Sequence, residues 1–229
     1  REVIEKSTAP LIHREARYWF ITRGRGTLRL QNGSFALFPG TLVSVLPWQM
    51  TEITEVTEPL QLGLIVYHLD TLTRLMKSFY DETELAAGFV SLSAKSPVQR
   101  LNKKEAAAVE RVFSALFDEL GMESTLAEPV NRPFARVSAM NRLVELAVLF
   151  ARKSLTSAQP TAAAEPVPDR GEILRYLYMH CGEKLTLGRL SRIFYISENS
   201  ISAYVTGLTG LSFSDLVNEM RIGKTVNYL

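Results

Sequence analysis

From His13 to His68 the apolar residues come in short runs that alternate with polar ones and break at Gly and Pro. The runs are RYWFIT, GTLRLQ, GSFALF, TLVSVL and LQLGLIVY, separated by RGRG, NG, PG and PWQ. A period of two punctuated by turn residues predicts β-strands joined as hairpins, with the RGRG from Arg23 as one of the turns. The unit they form is a compact barrel or sandwich. Strand parity puts His13, Arg17, Trp19 and Ile21 on one face. From Leu69 the period becomes helical: LTRLMKSFY is short, and KKEAAAVERVFSALFDEL carries Val109, Val112, Phe113, Leu116 and Leu120 on one side, followed by VSAMNRLVELAVLFAR. SLTSAQPTAAAEPVPDR has no periodic face and reads as a linker.

Beyond the linker the helical period returns with capping signals. Asp169 with Glu172 resembles a capping box, Thr186 and Ser197 stand as N-caps, Thr209-Gly210 is a stop, and Ser212 with Asp215 opens a last helix. Ile201, Tyr204, Val205 and Leu208 form the inward stripe of the third of these helices. The stretch IFYISENSISAYVTGLTG, with small Ser191 where two short helices would cross, has the spacing of a helix-turn-helix, while a plain helical bundle is the competing reading. The expected class is therefore α+β. Residues 1–100 form the barrel, 101–153 a helical segment, 154–168 the linker, and 169–229 a helix-turn-helix with the start of the following helix.

Composition narrows this picture modestly. The chain has 229 residues, 46% of them hydrophobic, enough for one large core or two small ones. No apolar run approaches a bilayer span and no signal core opens the chain, which predicts a cytoplasmic protein without a membrane partner. The single cysteine, Cys181, excludes disulfides within the chain and is expected as a small buried hydrophobe. A net charge of +2 neither requires nor forbids a nucleic-acid partner.

The segment LTLGRLSRIFYISENSISAYVTGLTGLSFSDLVNEMRIGKTVNYL resembles the DNA-binding half of AraC-type transcription regulators. Leu190-Ser191 stand at the family's Leu-Ala pair, Ser197 at its capping Ser, Ile201 at its packing Leu and Val205 at its usual Phe. Gly210, Phe213, Arg221-Ile222 and Leu229 follow in register. REARYWFITRGRGTLRLQNGSFALFPGTLVSVLPWQ is similar to the cupin barrel that precedes this half in the family, although Thr41 replaces an Asp and the Pro47–Glu52 segment lacks a His. The resemblance implies a homodimer, promoter DNA and RNA polymerase as partners, and a barrel that senses a small molecule. It also implies that the chain stops before a second helix-turn-helix.

Each implied site is assigned to residues. Asn199, Ser200, Ser202, Ala203 and Thr206 lie off the apolar stripe and are expected to meet base edges, with Arg189, Arg192, Arg221 and Lys224 as cations beside them. The apolar faces of the two long helices, wider than one barrel needs, are expected to form the dimer through Val112, Phe113, Leu116, Leu143, Leu146 and Phe150. If Arg17 points inward, its guanidinium requires an anion. That anion is either an internal Glu52 or Glu15, or a carboxylate or phosphate effector held by His13, Arg17, Trp19, Trp48 and Glu52. Against the metal pattern of cupin enzymes, Leu11 and Arg17 occupy two ligand slots and His13 and Glu52 the others, so no metal, no cofactor and no enzymatic activity are expected. A dimeric sensing or interaction protein that does not itself bind DNA is the alternative.

Overall fold

The computed structural model describes residues 2–30, 33–80, 83–121, 133–157 and 170–226. Among the described residues, seven strands form one antiparallel sheet: β1 (Glu2–Ile4), β2 (Leu11–His13), β3 (Ala16–Leu30), β4 (Gly33–Leu37), β5 (Thr41–Val45), β6 (Gln49–Tyr67) and β7 (Val98–Arg100). Their order is β1-β6-β3-β5-β7, with β2 added to β6 and β4 to β3. Two long strands, β3 and β6, therefore carry the sheet, and the RGRG expected as a hairpin turn lies inside β3. Its register against β6 slips between Ile21 and Arg23, Arg23 and Arg25, and Arg25 and Gly26. These bulges bend the strand where a turn was expected. Gly24 is required there: its φ is +85°, and a Cβ would fall 2.0 Å from the Pro59 carbonyl oxygen.

The pleat sorts side chains between two cores. Trp19, Ile21, Leu28, Leu30, Leu37, Val43, Val45, Ile53, Leu60 and Leu62 fill the inside of the curled sheet. The intervening Tyr18, Phe20 and Leu42 face outward and are covered by helices. That cover comprises α1 (Leu69–Tyr80), α2 (Thr83–Lys95), α3 (Lys103–Glu119) and α4 (Ala135–Ser157). The sequence pattern had not indicated α2, whose run contains Gly88 and two serines. α4 continues to Ser157, four residues into the expected linker, and the remainder of that linker and Asp169 lie outside the described residues. α3 opens with a capping box, Glu105 N–H donating to Asn102 Oδ1 at 2.9 Å and Asn102 N–H to Glu105 Oε2 at 2.7 Å. The hydrogen bond from the Asn102 backbone is the main reason the Glu105 carboxyl is held below its ordinary range.

The apolar faces of α3 and α4 are spent inside the chain. Phe113 stacks obliquely on Phe20 with ring centroids 5.6 Å apart, and Phe150 lies 5.8 Å from Tyr18. Val112, Phe113 and Leu116 are each 3% exposed, Leu143 5%, and Leu146 and Phe150 0%. These six residues, expected at a dimer interface, are instead buried in the core that the helices share with the outward face of the sheet. The physical cause is that the sheet turns a second apolar face outward, at Tyr18, Phe20 and Leu42, which these helices help to cover. Gly63 permits the close approach, since a Cβ there would meet Phe113 Cδ1 at 2.7 Å.

Four further helices make up the C-terminal unit: α5 (Arg170–His180), α6 (Leu187–Phe194), α7 (Glu198–Thr209) and α8 (Phe213–Val226). Their core is Ile173, Leu174, Leu177, Leu190, Phe194, Ile201, Val205, Leu216, Val217 and Met220. Cys181, 1% exposed, belongs to it, and burial pushes its thiol pKa up. No helix among the described residues is long and apolar enough to cross a membrane.

Candidate functional site

The pair α6 and α7 is built as a helix-turn-helix. Thr186 caps α6, its hydroxyl accepting from Arg189 N–H at 3.1 Å. The helix ends at Tyr195, whose left-handed φ of 55° reverses the chain. Ser197 then caps α7, accepting from Ser200 N–H at 3.2 Å. Gly210 ends α7 in the left-handed region at φ 70°, its N–H donating to the Thr206 carbonyl at 2.8 Å. All three caps fall where the sequence predicts them. Ile201 and Val205 are fully buried. Asn199, Ser200, Ala203 and Thr206 are exposed and Ser202 is half-buried, so the residues expected at base edges occupy one accessible side of α7. The Ser200 hydroxyl is partly engaged by Ser197, 2.8 Å away.

The cations expected beside α7 are mostly committed elsewhere. Arg189 donates to Glu183 at 2.7 Å, a bond that leads the causes holding its pKa up. Arg221 donates from Nε to the Cys181 carbonyl at 2.6 Å and from Nη2 to the Glu183 carbonyl at 3.0 Å, closing the end of α5. Lys224 lies 3.5 Å from Asp70. Arg192 is exposed and has no ion pair among the described residues. Sequence spacing could not reveal the partner of Lys224, because Asp70 is remote in the chain. Glu198 adds an anion on this surface: its Oε1 stands 3.1 Å from where a Cβ of Gly188 would be.

A second cluster gathers at one end of the barrel. Arg17 shares the face of Trp19 and Ile21, and its Nε is buried without a hydrogen-bond partner among the described residues. Burial lowers its pKa, against the opposing charges of Glu2 and Glu15. His13 hydrogen-bonds through Nε2 to Thr51 Oγ1 at 2.7 Å and meets the Trp19 ring edge-on at 6.3 Å. Burial first, and the Arg17 charge second, lower its pKa to about 4. Thr51 is a member of this cluster that the sequence reading missed, although its parity with Ile53 would have placed it inside.

Two expected members are absent from the cluster. Glu52 has the opposite parity to Thr51 and Ile53 and pairs with Arg29. Trp48 joins the outer core, beneath Arg14 at 5.9 Å, with its N–H on the His13 carbonyl at 2.5 Å. The internal pair expected for Arg17 with Glu52 or Glu15 is not formed, because Glu15 pairs with His68 at 2.8 Å. Among the described residues no group of three His, Cys, Asp or Glu is placed to hold a metal ion.

No family model matches the chain, and no curated protein matches it. Solved structures give fold-level likenesses. The AraC-like transcriptional activator CuxR aligns over 93% of this chain and 68% of its own, at 14% identity and a TM-score of 0.46. Apo ToxT K231A from Vibrio cholerae aligns over 99% and 78%, at 8% identity and a TM-score of 0.43. A DUF861 family protein from Thermotoga maritima matches 29% of this chain and 75% of its own, at 16% identity and a TM-score of 0.27.

Proposed function

We propose that this chain is a helix-turn-helix transcription regulator that reads DNA through α7 and senses a small anion through its barrel. The observation that carries the reading is a pair of capped helices joined by a left-handed turn, with Asn199, Ser200, Ala203 and Thr206 exposed opposite buried Ile201 and Val205. Asn is suited to adenine, Ser to several base edges and Ala203 to a thymine methyl. Arg192 supplies the phosphate contact. Homodimerisation, if it uses α3 and α4, must use faces other than their six buried apolar residues.

Because Arg189, Arg221 and Lys224 are tied to protein partners, affinity should be weak and only shallowly dependent on salt. Each phosphate neutralised contributes about 0.9 to the slope of log affinity against log salt, so one or two contacts give a slope of about 1 to 2 in magnitude. Fluorescence anisotropy on promoter DNA next to the gene measures this directly. Arg192→Ala should lower affinity for every sequence alike, whereas Asn199→Ala should relax base preference. Absence of binding at low salt would leave the second reading, an interaction protein that does not bind DNA. The tied cations and Glu198 are the features that favour it.

The Arg17 Nε, buried without a hydrogen-bond partner among the described residues, supports the sensing half of the proposal. A small carboxylate or phosphate that binds only the folded state should raise the melting temperature by mass action. In a thermal-shift screen, Arg17→Ala should abolish that rise. Equal protection of both proteins would remove Arg17 from the site.

A further inference from the structure

The C-terminal unit is joined to the barrel by two ion pairs of opposite polarity, both ending on α8. Arg14, in the turn between β2 and β3, meets Glu219 at 2.5 Å. Asp70, in the first turn of α1, faces Lys224 at 3.5 Å and also accepts the Tyr178 hydroxyl at 2.7 Å. Lys224 stands 4.6 Å over the Tyr178 ring, so the three groups form one closed cluster. Asp70 and Lys224 side chains are only 18% and 19% exposed, which lifts this pair above an ordinary surface contact. Burial first, then the Asp70 charge, raises the Tyr178 pKa and keeps its phenol a donor.

The barrel side of the junction is connected to the Arg17 end. Trp48 lies under Arg14, holds a left-handed φ of 62°, and donates its N–H to the His13 carbonyl. A non-glycine residue persists in this conformation only where its surroundings fix it. Met220 and Tyr178 of the C-terminal unit line a cavity of about 220 Å³ together with Trp48, Arg14 and Glu219.

We propose that this junction is an orientation latch: Asp70 with Lys224 and Tyr178, and Arg14 with Glu219, lock α8 and hence the helix-turn-helix in one pose on the barrel. The reversed polarity of the two pairs excludes the flipped pose, in which each acid would meet an acid. The latch also withholds Lys224 from DNA. It goes beyond the proposed function and does not depend on DNA binding.

Distance measurement between spin labels tests it on the full chain, with labels at Glu110→Cys on α3 and Thr206→Cys on α7, both exposed, while Cys181 is buried. The otherwise unaltered protein should give one narrow distance distribution. Asp70→Lys should at least double its width, and the swap Asp70→Lys with Lys224→Asp should restore it. Tyr178→Phe should broaden it less. If Asp70→Lys also unfolds the barrel, seen as loss of near-ultraviolet circular dichroism, Glu219→Arg and its swap with Arg14→Glu give the same reading at the more exposed pair. A broad distribution in the starting protein, or an unchanged width in Asp70→Lys or Glu219→Arg, overturns the latch.

Discussion

Val112→Glu combined with Leu116→Glu should unfold the chain, not separate two folded copies. Both side chains are 3% exposed and belong to the core that the helices share with the outward face of the sheet. Burying a carboxylate there without a partner costs several kcal/mol per site, and leaving it protonated still sacrifices the apolar contact. Two such sites approach or exceed the whole stability of a domain, about 5–15 kcal/mol. Thermal melting by circular dichroism should lose its cooperative transition. Arg111→Glu, one residue away on the exposed side of α3, should change stability by no more than about 0.5 kcal/mol. A double variant that stays folded and merely sediments as a smaller species would return these residues to a subunit interface.

Acidification should destabilise the barrel through His13. Its pKa is lowered to about 4 in the folded chain, against 6.5 for the unperturbed group, by burial and by Arg17. Between those values the unfolded chain binds a proton that the folded chain refuses, so stability rises with pH across this window. The contribution is fully present above about pH 6.5 and declines as pH falls toward about 4, by about 3 kcal/mol in total. Urea unfolding at a series of pH values measures the slope. His13→Gln should remove most of it, and Arg17→Ala should reduce it by raising the folded-state pKa. An unchanged pH profile in His13→Gln would assign the acid sensitivity to other groups.

Much of the local structure could be read from neighbouring residues alone. Thr186, Ser197 and Gly210 end or begin helices because their side chains or backbone satisfy groups three or four positions away, an interaction written entirely within a short window. The parity that places Arg17 with Trp19 and Ile21 is likewise local, since successive strand residues alternate faces whatever the partner strand. The same rule, carried from Ile53, separates Thr51 from Glu52. The sequence reading included Glu52 because it matched ligand chemistry and overlooked that its side chain must face outward.

What the chain order could not decide was which apolar faces meet and which charges pair. The amphipathic faces of α3 and α4 are the same whether a barrel or a second chain covers them, and only the outward Tyr18 and Phe20 show that the barrel does. RGRG has turn chemistry, but Gly24 is needed because Pro59, thirty-five positions later, presses on it. Lys224 has the charge of a phosphate contact, and Asp70, brought beside it by the packing of α8 on the barrel, takes that charge instead. Local sequence determined the capped helices α6 and α7 and the strand face of Arg17, Trp19 and Ile21, because those depend on bonds between near neighbours. Tertiary structure alone decided the interfaces and the ion pairs, because those depend on groups that meet only after the chain has folded.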